Sequence, residues 1–158
     1  MTVGHTGGVD LVADLVAPCS PGELFAWVDD LGRYPAWHSI VTAARPDGRH
    51  DGDPGPAWVV DLRARVGPLA RAKRLRMVRD EHVVPERVVF VRREVDGRQH
   101  GRWELTADVR RHGAGSRLDV ALHYSGGLWA PVLERLLGEE IERSRDRLLE
   151  LVSDRRTV

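Results

Sequence analysis

The sequence predicts an α+β fold: a curved antiparallel sheet of six to seven strands wrapped around one long C-terminal helix, with two short helices after the first strand. Three observations predict it. Successive runs of alternating apolar and polar residues are joined by short turn-forming segments, the pattern of antiparallel neighbours. Each run is apolar on one face only, so one face of the sheet meets solvent. Near residue 128 the apolar period changes from two to about 3.6, and the resulting helix is the only element large enough to cover the apolar face. At about 1.5 Å per residue it would span roughly 37 Å.

The elements follow in order. Residues 9–16, VDLVADLV, alternate with Val9, Leu11, Ala13 and Leu15 on one face, and read as a strand. Ser20-Pro21-Gly22-Glu23 is a capping box with proline at the first helical position. Leu24, Trp27, Val28 and Leu31 then form an amphipathic stripe, with Gly32 expected to end that helix. Pro35 holds Tyr34 extended and can open a second short helical turn.

Strand patterns dominate from Ser39. Residues 39–46 form a short strand, and Asp47 to Pro56 is a loop rich in Asp, Gly and Pro. Trp58, Val60, Leu62, Ala64 and Val66 alternate with Asp61, Arg63 and Arg65. Gly67-Pro68 turns the chain into a strand over 70–82 anchored by Leu75 and Met77. The strand 86–95 leaves two parities open: Val88, Phe90, Arg92 and Glu94 inward, or Val89, Val91, Arg93 and Val95. Asp96-Gly97 signals a hairpin. Trp103, Leu105, Ala107 and Val109 face one way in the next strand, Gly113 to Gly115 turn it, and Leu118, Val120, Leu122 and Tyr124 complete the sheet. After Gly126-Gly127 the helix runs from about Leu128 to Val152. Its stripe is Trp129, Val132, Leu133, Leu136, Leu137, Ile141, Leu148 and Val152, with Gly138 thinning it.

Residues 1–158 are expected to form one domain, with 1–7 and 154–158 as flexible tails. The N-terminus MTVGHTGGVD carries neither a basic nor an apolar signal-peptide region, and no apolar run reaches the roughly 20 residues of a membrane span. The single cysteine, Cys19, excludes an intramolecular disulfide, so a cytoplasmic location is expected. Basic and acidic residues balance at 24 each, which argues against nucleic-acid partners. The one basic run, seven side chains from Arg63 to Arg79 without an acid, is expected mostly on a solvated strand face. No membrane insertion is expected, and the chain is read as a monomer or homodimer.

Residues 16–38, VAPCSPGELFAWVDDLGRYPAWH, carry a recognisable pattern: a strand ending in Ala17-Pro18, a helix with an aromatic residue, then Asp30 followed by Tyr34-Pro35 and Trp37. This run, with the Gly-Gly and long helix at the other end, resembles the SRPBCC or START-like superfamily of helix-grip proteins, which includes polyketide cyclases/dehydrases and lipid-transfer proteins. The resemblance covers about residues 9–153. It implies a helix-grip fold with two short helices meeting in a V at the open end of the sheet, Tyr34 and Trp37 plugging its corner and Pro35 fixing its bend. It also implies polyketide-cyclase-like chemistry as one possibility, since similar cyclases use an inward arginine or other polar groups on a poly-keto chain.

A sheet curved around one helix encloses volume that side chains need not fill, so a hydrophobic pocket is expected. The residues expected to line it are Trp58, Leu75, Met77, Phe90, Trp103, Leu105, Leu122, Tyr124, Leu133 and Leu137. Lys73 and Tyr124 are the polar candidates for orienting a ligand, and His38 stands just after the V. No metal pattern, phosphate loop or dinucleotide fingerprint is present, so no cofactor or metal is expected and catalytic residues stay unassigned. The expected partner is a hydrophobic or amphipathic small molecule of lipid, polyketide or isoprenoid type. A polyketide cyclase/dehydrase using the same cavity, and a protein- or RNA-interaction module without a ligand, are the alternatives.

Overall fold

A computed structural model of the chain describes residues 8–66, 68–125 and 130–154, with side chains described at 10–65, 68, 70–125, 140 and 142–153. Of the expected flexible tails, 1–7 and 155–158 lie outside the described residues, as do Gly67, Gly126-Gly127, Trp129 and the side chains of Leu133 and Leu137; Asp154, expected in the tail, ends the C-terminal helix instead.

The strands are β1 (Gly8–Ala17), β2 (Val41–Asp47), β3 (Ala57–Val66), β4 (Leu69–Val83), β5 (Arg87–Arg92), β6 (Trp103–His112) and β7 (Gly115–Ser125). They make one antiparallel sheet in the order β1-β7-β6-β5-β4-β3-β2. Only β1 breaks sequence order, pairing with β7 from Gly8↔Ser125 to Ala17↔Ser116. The helices are α1 (Pro21–Phe25), a 3₁₀ helix (Leu31–Ala36) and α2 (Ala130–Asp154). This is the helix-grip arrangement.

Period-two alternation decides the faces. On β3, Trp58, Val60, Leu62 and Ala64 are buried, while Arg63 and Arg65 are exposed. Their cross-strand partners Lys73, Leu75 and Met77 share the inner face. On the other half, Trp103↔Tyr124, Leu105↔Leu122 and Val109↔Leu118 continue it. α2 makes its main sheet contacts with β1 and β3, so it bridges the concave face from one side to the other.

The stretch between β1 and β2 differs from its sequence pattern. α1 is a single turn ending at Phe25, not a helix reaching Gly32. Ser20 does cap it, its hydroxyl accepting from Glu23 N–H at 3.2 Å. The stripe of Leu24, Val28 and Leu31 is nevertheless buried, because turns carry the chain around the same corner. Gly32 does not end a helix. It lies within the 3₁₀ helix, whose N-cap Asp30 accepts from Gly32 N–H at 2.8 Å. The expected second helical turn around Pro35 is this element.

Strand β5 ends at Arg92, and residues 93–102 form a ten-residue connection rather than the tight Asp96-Gly97 hairpin. Asp96 instead stabilises a local turn, accepting from Arg98 N–H at 3.0 Å and meeting His100 Nε2 at 2.9 Å. The open parity is resolved by register. Met77↔Arg92 puts Arg92, and hence Phe90 and Val88, on the inner face. Val89 is also buried, on the outer face.

Arg76 anchors the 47–56 loop. Its guanidinium donates to Asp47 and Asp53 carboxylates, each at 2.7 Å, and to Gly48 O at 3.0 Å. Arg76 is therefore the buried exception in a basic run whose Arg63, Arg65, Arg71 and Arg74 face solvent. Gly55 permits the close fold: a Cβ there would stand 2.5 Å from Arg79 O.

Candidate ligand cavity

The corner of the V is packed as aromatic shape requires. Tyr34 and Trp37 are buried, their rings 4.7 Å apart. The Tyr34 hydroxyl donates to Val28 O at 2.8 Å, and the Trp37 indole N–H donates to Trp27 O at 3.1 Å. Behind them Phe90 meets Tyr34 edge-on at 6.3 Å, and Trp58 meets Phe90 edge-on at 5.7 Å. These four rings close one end of the space beneath α2.

Above them lies a cavity of about 170 Å³. Its walls come from six of the seven strands, the 3₁₀ helix and α2. Inward side chains of β1, β3, β4, β6 and β7 supply aliphatic surface, Leu31, Tyr34 and Trp37 supply the corner, and Leu148 caps it from α2. Val12 and Asp14, both exposed on edge strand β1, border the cavity with Arg145 of α2, so it reaches the surface there. Arg145 lies 3.9 Å from Asp14 and 3.2 Å from Glu142 across that mouth.

Of the residues the sequence nominates, Leu75, Met77, Trp103, Leu105 and Leu122 line this cavity. Trp58 and Phe90 stand behind Tyr34 instead, because the aromatic corner occupies the space in front of them. Tyr124 is fully buried against the Trp103 ring, 5.0 Å away. Lys73 reaches over the other ring contact of Trp103, its Nζ 6.0 Å from the centroid. Burial and the neighbouring Arg92 lower the Lys73 pKa, partly offset by Glu94. Arg92 and Glu94 do pair, at 3.1 Å, but behind the wall: Arg92 also meets Gly101 O and His100, and Glu94 accepts from Arg76 N–H.

Two polar wall residues carry no assigned role in the sequence pattern. His38 follows the V, and Ser144 lies on the inner face of α2. Ser144 sits three residues after Ile141 and four before Leu148, at a helical period that keeps it on the apolar stripe. A polar residue filling a gap in such a stripe is the signal that could have found it. His38 Nδ1 and Ser144 Oγ are both buried and have no hydrogen-bond partner among the described residues. Burial lowers the His38 pKa to about 4, so its ring is neutral near pH 7. Among the described residues no group of three or more His, Cys, Asp or Glu is arranged to hold a metal ion, and no helix is long and apolar enough to cross a membrane.

The family model described as "Polyketide cyclase / dehydrase and lipid transport" matches residues 9–152. The chain belongs to that family. Its fold is shared with solved structures of low sequence identity. A START superfamily protein from Mycobacterium smegmatis is 16% identical, with a TM-score of 0.66 over 93% of this chain and 97% of that one. The di-domain ARO/CYC StfQ of the steffimycin biosynthetic pathway is 13% identical, with a TM-score of 0.68 over 96% of this chain and 52% of that one. Ara h 8.0201 is 14% identical, with a TM-score of 0.60 over 94% of this chain and 99% of that one. A search of curated proteins finds no match. Family membership thus agrees with the fold.

Proposed function

We propose that the protein binds a hydrophobic or amphipathic small molecule, of lipid, polyketide or isoprenoid class, in the cavity between the sheet and α2. The observation that carries this is the cavity's size and lining: about 170 Å³, walled almost wholly by aliphatic and aromatic side chains. Protein interiors are otherwise close-packed, and a void leaves its lining without partner atoms. An apolar ligand supplies those contacts, and a void of about 150 Å³ suffices for a benzene-sized one.

The family includes cyclases, so turnover of a poly-keto substrate in the same cavity is the second reading. The wall's ionisable side chains favour binding over catalysis. Tyr34 spends its proton on Val28 O, and burial holds its pKa far above the usual phenol range. His38, at about 4, is poorly matched to accept a proton near pH 7. Asp14 and Arg145 stand at the mouth, facing each other.

Native mass spectrometry of the purified protein tests the proposal, followed by titration with long-chain and aromatic apolar compounds. The expected result is one ligand per chain. Absence of any binding tighter than about 100 μM, a modest standard for a drug-sized apolar ligand, would overturn it. Turnover of a poly-keto probe would establish the cyclase instead.

A further inference from the structure

Among the described residues, two polar atoms deep in this apolar wall have no partner, besides Arg145 Nε at the mouth. Ser144 is 5% exposed, and its hydroxyl oxygen makes no hydrogen bond among the described residues, not even to its own helix. His38 Nδ1 is likewise buried and unpartnered. Both residues line the cavity. The segments that carry them are tied together. The Ser39 hydroxyl donates to the Glu140 carboxylate, tying the chain after the V to α2. His38 precedes Ser39, and Ser144 lies one helical turn beyond Glu140 on the same side. Buried polar groups without partners are rare in native structures, and each withholds stability until something satisfies it.

We infer that His38 Nδ1 and Ser144 Oγ form a polar anchor that selects an uncharged ligand bearing a hydroxyl group, such as a phenol or alcohol on an apolar frame. This rests on the cavity being a ligand site. The chemistry is complementary: a ligand hydroxyl can donate to Nδ1 of the neutral imidazole or accept from the Ser144 hydroxyl, so it satisfies an orphan that a hydrocarbon cannot. A hydrocarbon would leave both unsatisfied. A carboxylate would find no cation deep in the wall. Arg145 at the mouth also has an unpartnered buried Nε, but its guanidinium already faces Glu142 and Asp14. An entering carboxylate there meets two like charges.

Calorimetric titration of the full chain at pH 7 with naphthalene, 2-naphthol and 2-naphthoate tests this with one frame and three head groups. The expected result is 2-naphthol binding about tenfold more tightly than naphthalene, the worth of a satisfied buried pair, and 2-naphthoate more weakly than 2-naphthol. Ser144→Ala and His38→Leu should each remove most of the naphthol advantage, read as the ratio of 2-naphthol to naphthalene affinity within the same variant. His38→Asn, whose amide can stand near the Nδ1 position, should restore much of it, which a merely structural role for His38 would not predict. Equal affinity for naphthalene and 2-naphthol would overturn the anchor while leaving the cavity as a binding site. So would a naphthol advantage that survives both variants, or tighter binding of 2-naphthoate, which would point to Arg145. Failure of all three compounds to bind would overturn the cavity proposal and the anchor together.

Discussion

Arg76 Nη2 lies 2.7 Å from Asp53 Oδ2, and the two side chains, 4% and 3% exposed, are buried together on the outer face of the sheet. The pair is not isolated. Arg76 also holds Asp47, Gly48 O and Arg93 O, so one guanidinium pins the 47–56 loop and the chain leaving β5. A planar, five-donor fork can satisfy this many acceptors, and an ammonium group cannot.

Arg76→Leu should therefore be strongly destabilising, on the order of 3 kcal/mol, because it strands a buried carboxylate and frees the loop. Arg76→Lys should recover only part of the loss. Urea unfolding midpoints of the three proteins check this, with ligand affinity as a control: the cavity lies on the opposite face and should keep its affinity in the folded variants.

How much of this was visible beforehand depends on the range of the interaction. Alternation is local, so the inner faces of β3, β6 and β7 were legible from Trp58, Val60, Leu62, Trp103, Leu105 and Leu122. The burial of Arg76 was not, because its partners stand 23 and 29 residues away and the loop's return is a tertiary event. The aromatic corner was legible as a corner from Tyr34-Pro35-Ala36-Trp37. That it would occupy the space before Phe90 and Trp58, and so remove them from the cavity wall, was not, since parity assigns a face but not a depth. The length of α1 is not legible for a related reason: a buried stripe at 24, 28 and 31 is equally served by a helix or by a turn rounding the same corner.

The pH profile should show two successive acid losses. Burial depresses His38 from 6.5 to about 4, so below pH 6.5 the unfolded chain takes up a proton that the folded chain refuses. Stability contributed by neutral His38 is thus full above about pH 6.5 and falls as pH drops towards 4. Asp53 is held down at about 2, first by its hydrogen bond to Arg76, so its contribution is full above about pH 4 and is lost between there and about 2. Urea midpoints measured from pH 7 to pH 2.5 should decline in both windows. His38→Asn should flatten the upper one, and Asp53→Asn should flatten the lower one while costing stability at pH 7. An unchanged upper slope in His38→Asn would mean that another histidine dominates.

Tyr34→Phe should separate packing from hydrogen bonding at the V. The ring remains to pack on Trp37 and Phe90, but Val28 O loses its buried donor. The expected cost is about 1–2 kcal/mol. Because the hydroxyl points at backbone and not into the void, apolar ligand affinity should change little. A large loss of affinity with unchanged stability would instead assign the hydroxyl to the ligand.

Leu105→Trp distinguishes a true void from a filled core. Leu105 is half-buried, pairs with Phe90 and Leu122 across the sheet, and lines the cavity. In a close-packed interior the added rings would force rotamers and backbone apart, costing about 1–3 kcal/mol or more. Here the indole can grow into empty space and gain contacts that the leucine lacks, so stability should fall by less than about 1 kcal/mol or rise. The same indole would occupy the volume a ligand needs, and affinity for naphthalene-sized compounds should drop by about tenfold or more. Thermal unfolding and calorimetric titration of one variant thus read the two consequences separately. Retained stability with lost binding identifies Leu105 as a cavity wall, whereas severe destabilisation would mean that the space beneath α2 is already filled.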